Sequence, residues 1–224
     1  MHAQTAMADD GDDAATQILL VHQVTRNRLL INLGVLFVTA SVLSCTTYAI
    51  HLNDAHMITY FTDVGSSYDA QAQWYYCAPA SVRMILKYEG LESLPSQALL
   101  ASQMNCTEYN NGTKISNLLF AIAQYGILYN VDQDRAFSES LLFLKSKLVD
   151  NKPLIIAIWF DKNTDNGHFV VVYGYNGDGI FVHDPWNNPF HAPAGRPYGP
   201  SAFISNDQLE PLWSHYSNWM VYFG

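Results

Sequence analysis

The sequence lacks any run of basic residues: its 11 Lys and Arg are scattered among 20 Asp and Glu, and the net charge is −9. Proteins that bind nucleic acid neutralise phosphates with clustered Lys and Arg. We therefore expect no nucleic-acid partner. Cysteine is also scarce, since the three present form no CxxC pair and no Cys/His spacing typical of zinc. This odd, small number excludes a disulfide framework.

Apolar residues are plentiful by contrast, at 49% of the chain, and aromatic residues make up 13%. This content is enough to form a hydrophobic core and excludes disorder of the whole chain. A length of 224 residues suits one catalytic domain with a short appendage.

The appendage is N-terminal. Residues 1–28 contain a cluster of Asp at positions 9–13 and no hydrophobic periodicity, which predicts a flexible cytoplasmic tail. Residues 29–50 then form a stretch of 22 without a charge, long enough to span a bilayer as one helix. Arg26 and Arg28 precede this stretch, so the positive-inside rule places the tail in the cytoplasm and residues 51–224 outside.

Three fates of this apolar segment remain open. It can stay as a transmembrane anchor, or it can be a signal cleaved near Thr47-Tyr48-Ala49. It can also be a lipoprotein signal, with Val42-Leu43-Ser44-Cys45 as an imperfect lipobox. A buried helix of the soluble fold is the alternative, which the length and the arginine flank disfavour. We expect a catalytic domain that is membrane-anchored or secreted, and a membrane contact through this helix.

The rest of the chain has helices first and strands later. Helical spacing follows Cys77 as far as Gly90 and recurs in three further segments, whereas apolar and β-branched runs predict three strands. The further helices are 96–105, 114–125 and 137–150, and the strands are 154–160, 168–175 and 180–184. The pattern predicts an α+β fold with an N-terminal helical part and a C-terminal antiparallel sheet.

Cys77 is a candidate nucleophile because it lies where a helix is predicted to begin. A thiol attacks as the thiolate, and the N-terminus of a helix favours an anion. His168 follows a polar segment, residues 161–167, at the start of a predicted strand, where its ring can serve as a base. The alternatives are a small buried core residue for Cys77 and a strand-end polar residue for His168.

Asp184 ends the strand that follows the His168 strand after one hairpin turn. Its carboxylate can therefore lie near the imidazole and orient it as the third member of a triad. Its alternative is an ordinary turn residue before Pro185. Gln71 lies six residues before Cys77, where its amide can donate to the oxyanion of a tetrahedral intermediate. Gln73 competes for that role, and either glutamine can instead be a surface residue.

Three motifs together resemble a known family. They are Gln71-Ala-Gln-Trp-Tyr-Tyr-Cys77-Ala-Pro-Ala-Ser, then Gly167-His168-Phe-Val-Val-Val-Tyr, then Val182-His-Asp184-Pro-Trp. The chain from about residue 55 is similar to the bacteriocin-processing double-glycine cysteine peptidases, above all to their stand-alone exported relatives. The resemblance implies a papain-like fold, with a helical lobe carrying Cys77 and a sheet lobe carrying His168 and Asp184. It also implies the oxyanion-hole role for Gln71.

One position departs from the family pattern. Ala78 stands where such sequences commonly have Gly directly after the nucleophile, and we expect its methyl group to narrow the cleft. A metal site is disfavoured, because His183 and Asp184 are adjacent on a strand and point to opposite faces. The expected function is hydrolysis of a peptide or protein substrate through a thioester, with no metal and no cofactor. Two rivals remain, a transpeptidase or acyltransferase with the same nucleophile, and a catalytically silent module that binds peptides or cell-wall fragments.

Overall fold

A computed structural model describes residues 60–61, 67–109, 112–161, 164–188, 191, 193 and 195–224. All of these belong to the unit Leu52–Gly224. The predicted tail 1–28 and the predicted helix 29–50 lie outside the described residues. Within the described ranges, no helix combines the length and the apolar character needed to cross a membrane.

Five helices occur in the described chain: α1 Cys77–Tyr88, α2 Gln97–Gln103, α3 Ile115–Gln124, α4 Phe137–Val149 and α5 Asn206–Ser214. The first four match the predicted helices to within three residues at each end. Helix α1 ends two residues before Gly90, whose φ of 77° suits glycine. Its N–H donates to the Lys87 carbonyl, and the Leu91 N–H donates to the Leu86 carbonyl, which satisfies the last turn of the helix.

Seven strands form one antiparallel sheet in the order β2-β7-β3-β4-β5-β6, with β1 paired to β4. They are β1 Tyr60–Phe61, β2 Tyr129–Asp132, β3 Leu154–Asp161, β4 Thr164–Tyr175, β5 Gly179–His183, β6 Ala202–Ser205 and β7 Met220–Phe223. The antiparallel sheet confirms the α+β prediction. The prediction missed the short strands β2, β6 and β7, because four residues carry too little periodicity to be recognised.

Both faces of the sheet are covered by helices. On one face, Ile155, Phe169 and Val171 pack with helices α1, α2 and α3. On the other face, Ile156 and Val170 pack with helices α4 and α5. The expected order of helices first and strands later is therefore incomplete: β2 precedes α4, and α5 follows β6.

The hairpin that carries His168 is longer than predicted. Strand β4 begins at Thr164, and Asp161 pairs with Thr164, so most of the polar segment 161–167 belongs to the sheet. Pairing satisfies the backbone hydrogen bonds of this segment, and this outweighs its polar composition. His168 therefore lies within a strand, opposite Ile158, and its backbone position is fixed by the ladder on β3.

Candidate active site

Cys77 is the first residue of α1, as predicted. It is 8% exposed and lines a cavity. The N-cap residue Tyr76 provides no side-chain hydrogen bond to the first turn. The positive end of the helix therefore faces the sulfur without a capping side chain in between, an environment that favours an anion.

His168 reaches the cavity beside Cys77 from the sheet, so both side chains line the same space, and Cys77 contributes to the raised pKa of the imidazole. On its other side, the His168 imidazole donates from Nε2 to Asp184 Oδ1 at 2.6 Å. The imidazole is 3% exposed and is flanked by Phe160 and Trp186, whose ring centroids lie 5.4 and 6.5 Å from it. The aromatic rings restrict access of water to the His168–Asp184 pair.

Asp184 is fully buried and accepts from several donors. Oδ1 accepts from His168 and from the backbone N–H of Trp186, the latter at 2.8 Å. Oδ2 accepts from Arg196 Nη1 at 2.5 Å. Both oxygens therefore have hydrogen-bond partners, which a buried carboxylate needs in order to remain ionised.

Charge interactions outweigh burial at this pair. Burial by itself would raise the pKa of Asp184, but the charges and hydrogen bonds of His168 and Arg196 lower it to about 2. Burial would also lower the pKa of His168, but the charge and hydrogen bond of Asp184, with a smaller contribution from Cys77, raise it to about 9. Asp184 is therefore a carboxylate and His168 is readily protonated near neutral pH.

The cavity beside Cys77 is open to solvent, and its enclosed part has a volume of about 70 Å³. Its lining combines the two reactive side chains with aromatic rings and the segment before His168. The lining residues are Trp74, Tyr75, Cys77, Phe160, Asn166, Gly167, His168 and Trp186. A second cavity, of about 280 Å³, shares Trp74 and Trp186 with the first and is otherwise lined by Gln71, Ala72, Gln73, Asn187 and Asn188. The two cavities thus adjoin through two tryptophans.

Gln71 lies in the loop before α1 and is 6% exposed, so it is not a surface residue. Its amide nitrogen donates to the carbonyls of Gln73 at 2.9 Å and Trp74 at 2.7 Å. Its backbone N–H donates to the Pro185 carbonyl at 2.9 Å, which ties this loop to the segment after Asp184. Both amide hydrogens are thus used within the loop, and the oxyanion role of Gln71 stays a prediction that requires the amide to change partners.

Ala78 does not have the predicted effect on the cleft. It is fully buried in the cluster that joins α1 to the sheet, and the described cavity lining does not include it. The second residue of a helix points away from the first by about 100°, so a methyl group here packs into the core while Cys77 faces the cavity.

The sequence model of the Peptidase_C39 like family matches residues 65–196, which is more than half of the chain. The chain belongs to this family. Members of the C39 family are cysteine peptidases. A search of curated proteins finds no match to the chain.

Solved structures of C39 peptidases share the fold of this C39-like chain. A C39-like peptidase from Bacillus anthracis is 15% identical, with a TM-score of 0.53 over 74% of this chain and 97% of the other. The peptidase domain of Streptococcus ComA, a bi-functional ABC transporter involved in quorum sensing, is 18% identical, with a TM-score of 0.51 over 70% of this chain and 96% of the other.

A third structure is that of a double glycine motif protease from an AMS/PCAT transporter, in complex with the leader peptide. It is 17% identical, with a TM-score of 0.50 over 70% of this chain and 89% of the other. At these identities the likeness establishes the fold of the C39-like chain and does not extend to its substrate.

One buried partner of this C39 site was missed by the sequence reasoning. Arg196 contacts Asp184 from a loop twelve residues away, in a segment rich in Gly and Pro that has no periodicity. No spacing rule relates an arginine in such a loop to an aspartate after a strand. Among the described residues, no group of three or more His, Cys, Asp or Glu side chains is arranged to hold a metal ion.

Proposed function

We propose that the protein is a papain-like cysteine peptidase in which Cys77, His168 and Asp184 act as a catalytic triad. The observation that supports this best is that Cys77 and His168 line one open cavity while the His168 imidazole is hydrogen-bonded to the Asp184 carboxylate. The family match adds the reaction class.

In the proposed mechanism, His168 holds the proton of Cys77 and the thiolate attacks the carbonyl carbon of a peptide. The bond between that carbon and nitrogen breaks, and the imidazolium protonates the leaving amine. A water molecule then hydrolyses the thioester, with His168 as base. The backbone N–H of Cys77 donates to the oxyanion, joined by Gln71 if its amide leaves the carbonyls of Gln73 and Trp74.

Asp184 holds the imidazole in one orientation and stabilises its charged form. Since Nε2 faces Asp184, the remaining nitrogen, Nδ1, is the one that exchanges the proton with sulfur. The catalytic domain acts outside the cytoplasmic membrane, a proposal that depends on the apolar segment 29–50 and its arginine flank. Peptides or proteins exposed there are the proposed substrates.

Digestion of a peptide library by the full chain, beside its Cys77→Ala variant, tests the proposal. We expect cleavage products from the unmodified chain only. When acid stops turnover, we also expect a peptide acyl group bound to Cys77 as a thioester, which hydroxylamine releases. Cleavage that survives Cys77→Ala contradicts the mechanism. A product joined to an added amine, in place of a free carboxylate, identifies an acyltransferase.

A further inference from the structure

Arg196 is the buried cation of the site. Its side chain is 1% exposed and it forms an ion pair with Asp184. Burying a guanidinium is unfavourable unless an anion compensates its charge. Asp184 provides that anion. Because Arg196 stays protonated at any ordinary pH, the carboxylate always has a positive partner on the side opposite His168.

The four side chains form a row of alternating charge when the thiol has given its proton to the imidazole. The order is then Cys77 negative, His168 positive, Asp184 negative and Arg196 positive. Hydrogen bonds join His168 to Asp184 and Asp184 to Arg196, and Cys77 and His168 line the same cavity. Each charge lies next to one of opposite sign, and the row is neutral as a whole. Without the guanidinium, the same buried row would carry a net negative charge, which is the less stable arrangement in a medium of low dielectric constant.

We propose that Arg196 is a positioning residue for the cysteine peptidase reaction: its guanidinium keeps the Asp184 carboxylate ionised and directed at His168, and so sets the lower pH limit of Cys77 reactivity. The inference rests on the proposed function, since it assigns Arg196 a role in the same reaction. Arg196 acts through Asp184 and needs no contact with substrate.

Other titratable groups near Asp184 do not substitute for this cation. Tyr68 is close enough for the charge of Asp184 to act on it, but burial first, and then the charges of Asp184 and Asp69, raise the pKa of its hydroxyl. Tyr68 is therefore uncharged near neutral pH and supplies no positive charge. His168 itself changes charge during the reaction, so Arg196 provides the one permanent positive charge among the groups described around this carboxylate.

A purely structural role is the competing explanation. Arg196 also donates to the carbonyls of Pro197 at 3.1 Å and Phe160 at 3.4 Å, and these contacts close its loop against β3. If the role is structural, replacing Arg196 gives a less stable protein, but Cys77 in the molecules that fold reacts with an unchanged pH dependence. A positioning role predicts a shift in that dependence.

The pH dependence of Cys77 alkylation separates the two roles. The full chain is treated with iodoacetamide from pH 2 to 9, and mass spectrometry measures the rate at the peptide that contains Cys77. In Arg196→Met, Asp184 loses one of the two partners that lower its pKa while burial still raises it. Its carboxylate is then protonated at a higher pH, and we expect the acid-side midpoint of alkylation to rise by about one pH unit.

Two variants complete the comparison. Arg196→Lys keeps the charge, and we expect its midpoint to stay within about 0.3 pH units of the original. Arg83→Met is the matched control, because Arg83 also pairs with a carboxylate, that of Asp69 at 2.8 Å, and with a carbonyl, that of Pro95 at 2.9 Å. Its removal lowers the melting temperature without moving the midpoint.

If Arg196→Met does not fold, the neutral pair Asp184→Asn with Arg196→Gln provides a second test. Because Arg196 acts through Asp184, we expect this double variant to have the same alkylation midpoint as Asp184→Asn alone. A different midpoint, or an unchanged midpoint in folded Arg196→Met, overturns the inference. The proposed function fails by a separate result: Cys77 is alkylated at the same rate in the unmodified chain and in His168→Ala.

Discussion

Two thiols, those of Cys77 and Cys106, lie in the same apolar cluster of this protein, and neither forms a disulfide. Cys77 begins a helix and lines a cavity together with the His168 imidazole. Cys106 lies in the loop after α2 and donates to the Tyr75 carbonyl at 3.2 Å. Burial, and to a smaller extent the charge of Cys77, raises the pKa of the Cys106 thiol to about 12.

Burial by itself does not decide whether a cysteine is reactive. Both residues are less than 10% exposed, so exposure does not distinguish them. Their partners do: a carbonyl oxygen stabilises the S–H form of Cys106, whereas the helix N-terminus and His168 stabilise an anion at Cys77. The predictions below change these partners, beginning with the largest expected effect.

Alkylation of the two thiols gives the largest contrast. At pH 7 we expect iodoacetamide to modify Cys77 at least about a thousand times faster than Cys106, because a thiol with so high a pKa is almost entirely protonated. His168→Ala should slow Cys77 by about a hundredfold and leave Cys106 unchanged. Peptide mass spectrometry measures both rates in one sample. Equal rates at the two sites would contradict the assignment of Cys77 as the nucleophile.

The pH above which peptide cleavage slows should be set by the loss of the proton from the His168 imidazolium. Its raised pKa means that the imidazolium persists until the pH passes about 9, so kcat/KM should remain high up to that value and then fall about tenfold per pH unit. The same interaction stabilises the fold fully below the usual value of 6.5, and this stabilisation is lost as the pH rises through about 9.

Asp184→Asn is the control for this limit, because it removes the charge that raises the pKa of His168. The limit should then move downward, toward the value of an ordinary histidine. An alkaline limit that stays at the same pH in Asp184→Asn would exclude His168 as the group that titrates.

The variant Gly167→Ala tests how accurately the His168 side chain must be positioned for activity. A Cβ atom at this position would lie 2.8 Å from the hydroxyl oxygen of Tyr216, so Gly167→Ala must displace either that ring or the strand that carries His168. We expect kcat/KM to fall by about tenfold, in line with a small misplacement of a catalytic group. Adding Tyr216→Phe should restore part of the activity. Absence of any rescue would show that the clash involves other atoms.

Ser81 gives the smallest expected effect. Its hydroxyl donates to the Phe169 carbonyl at 3.2 Å and so joins helix α1, which carries Cys77, to strand β4, which carries His168. Ser81→Ala should lower the free energy of unfolding by about 1 kcal/mol and slow alkylation of Cys77 by less than about threefold. Urea denaturation measures the first quantity. A much larger loss of reactivity would mean that this bond sets the distance between sulfur and imidazole.

Local patterns in the sequence were enough to place most of the elements around the site. Helix α1 starts at Cys77 because Pro79 is tolerated in a first turn, and it stops two residues before Gly90 because glycine accepts a positive φ. The apolar run from Leu154 similarly predicts β3. The contact of His168 with Asp184 followed from the hairpin between them, in which Val171 pairs with His183.

Contacts between distant segments were decided by the tertiary structure alone. Arg196 reaches Asp184 from an irregular loop, the Gln71 backbone N–H donates to the Pro185 carbonyl, and Ala78 packs into the core. Side-chain directions of this kind depend on the surfaces that the completed sheet and helices present to one another, which no periodicity encodes. Hence the sequence determined which residues can react and which elements carry them, because these follow from local backbone chemistry. Only folding decided their partners and charges, because burial and electrostatic neighbours arise when distant segments pack together.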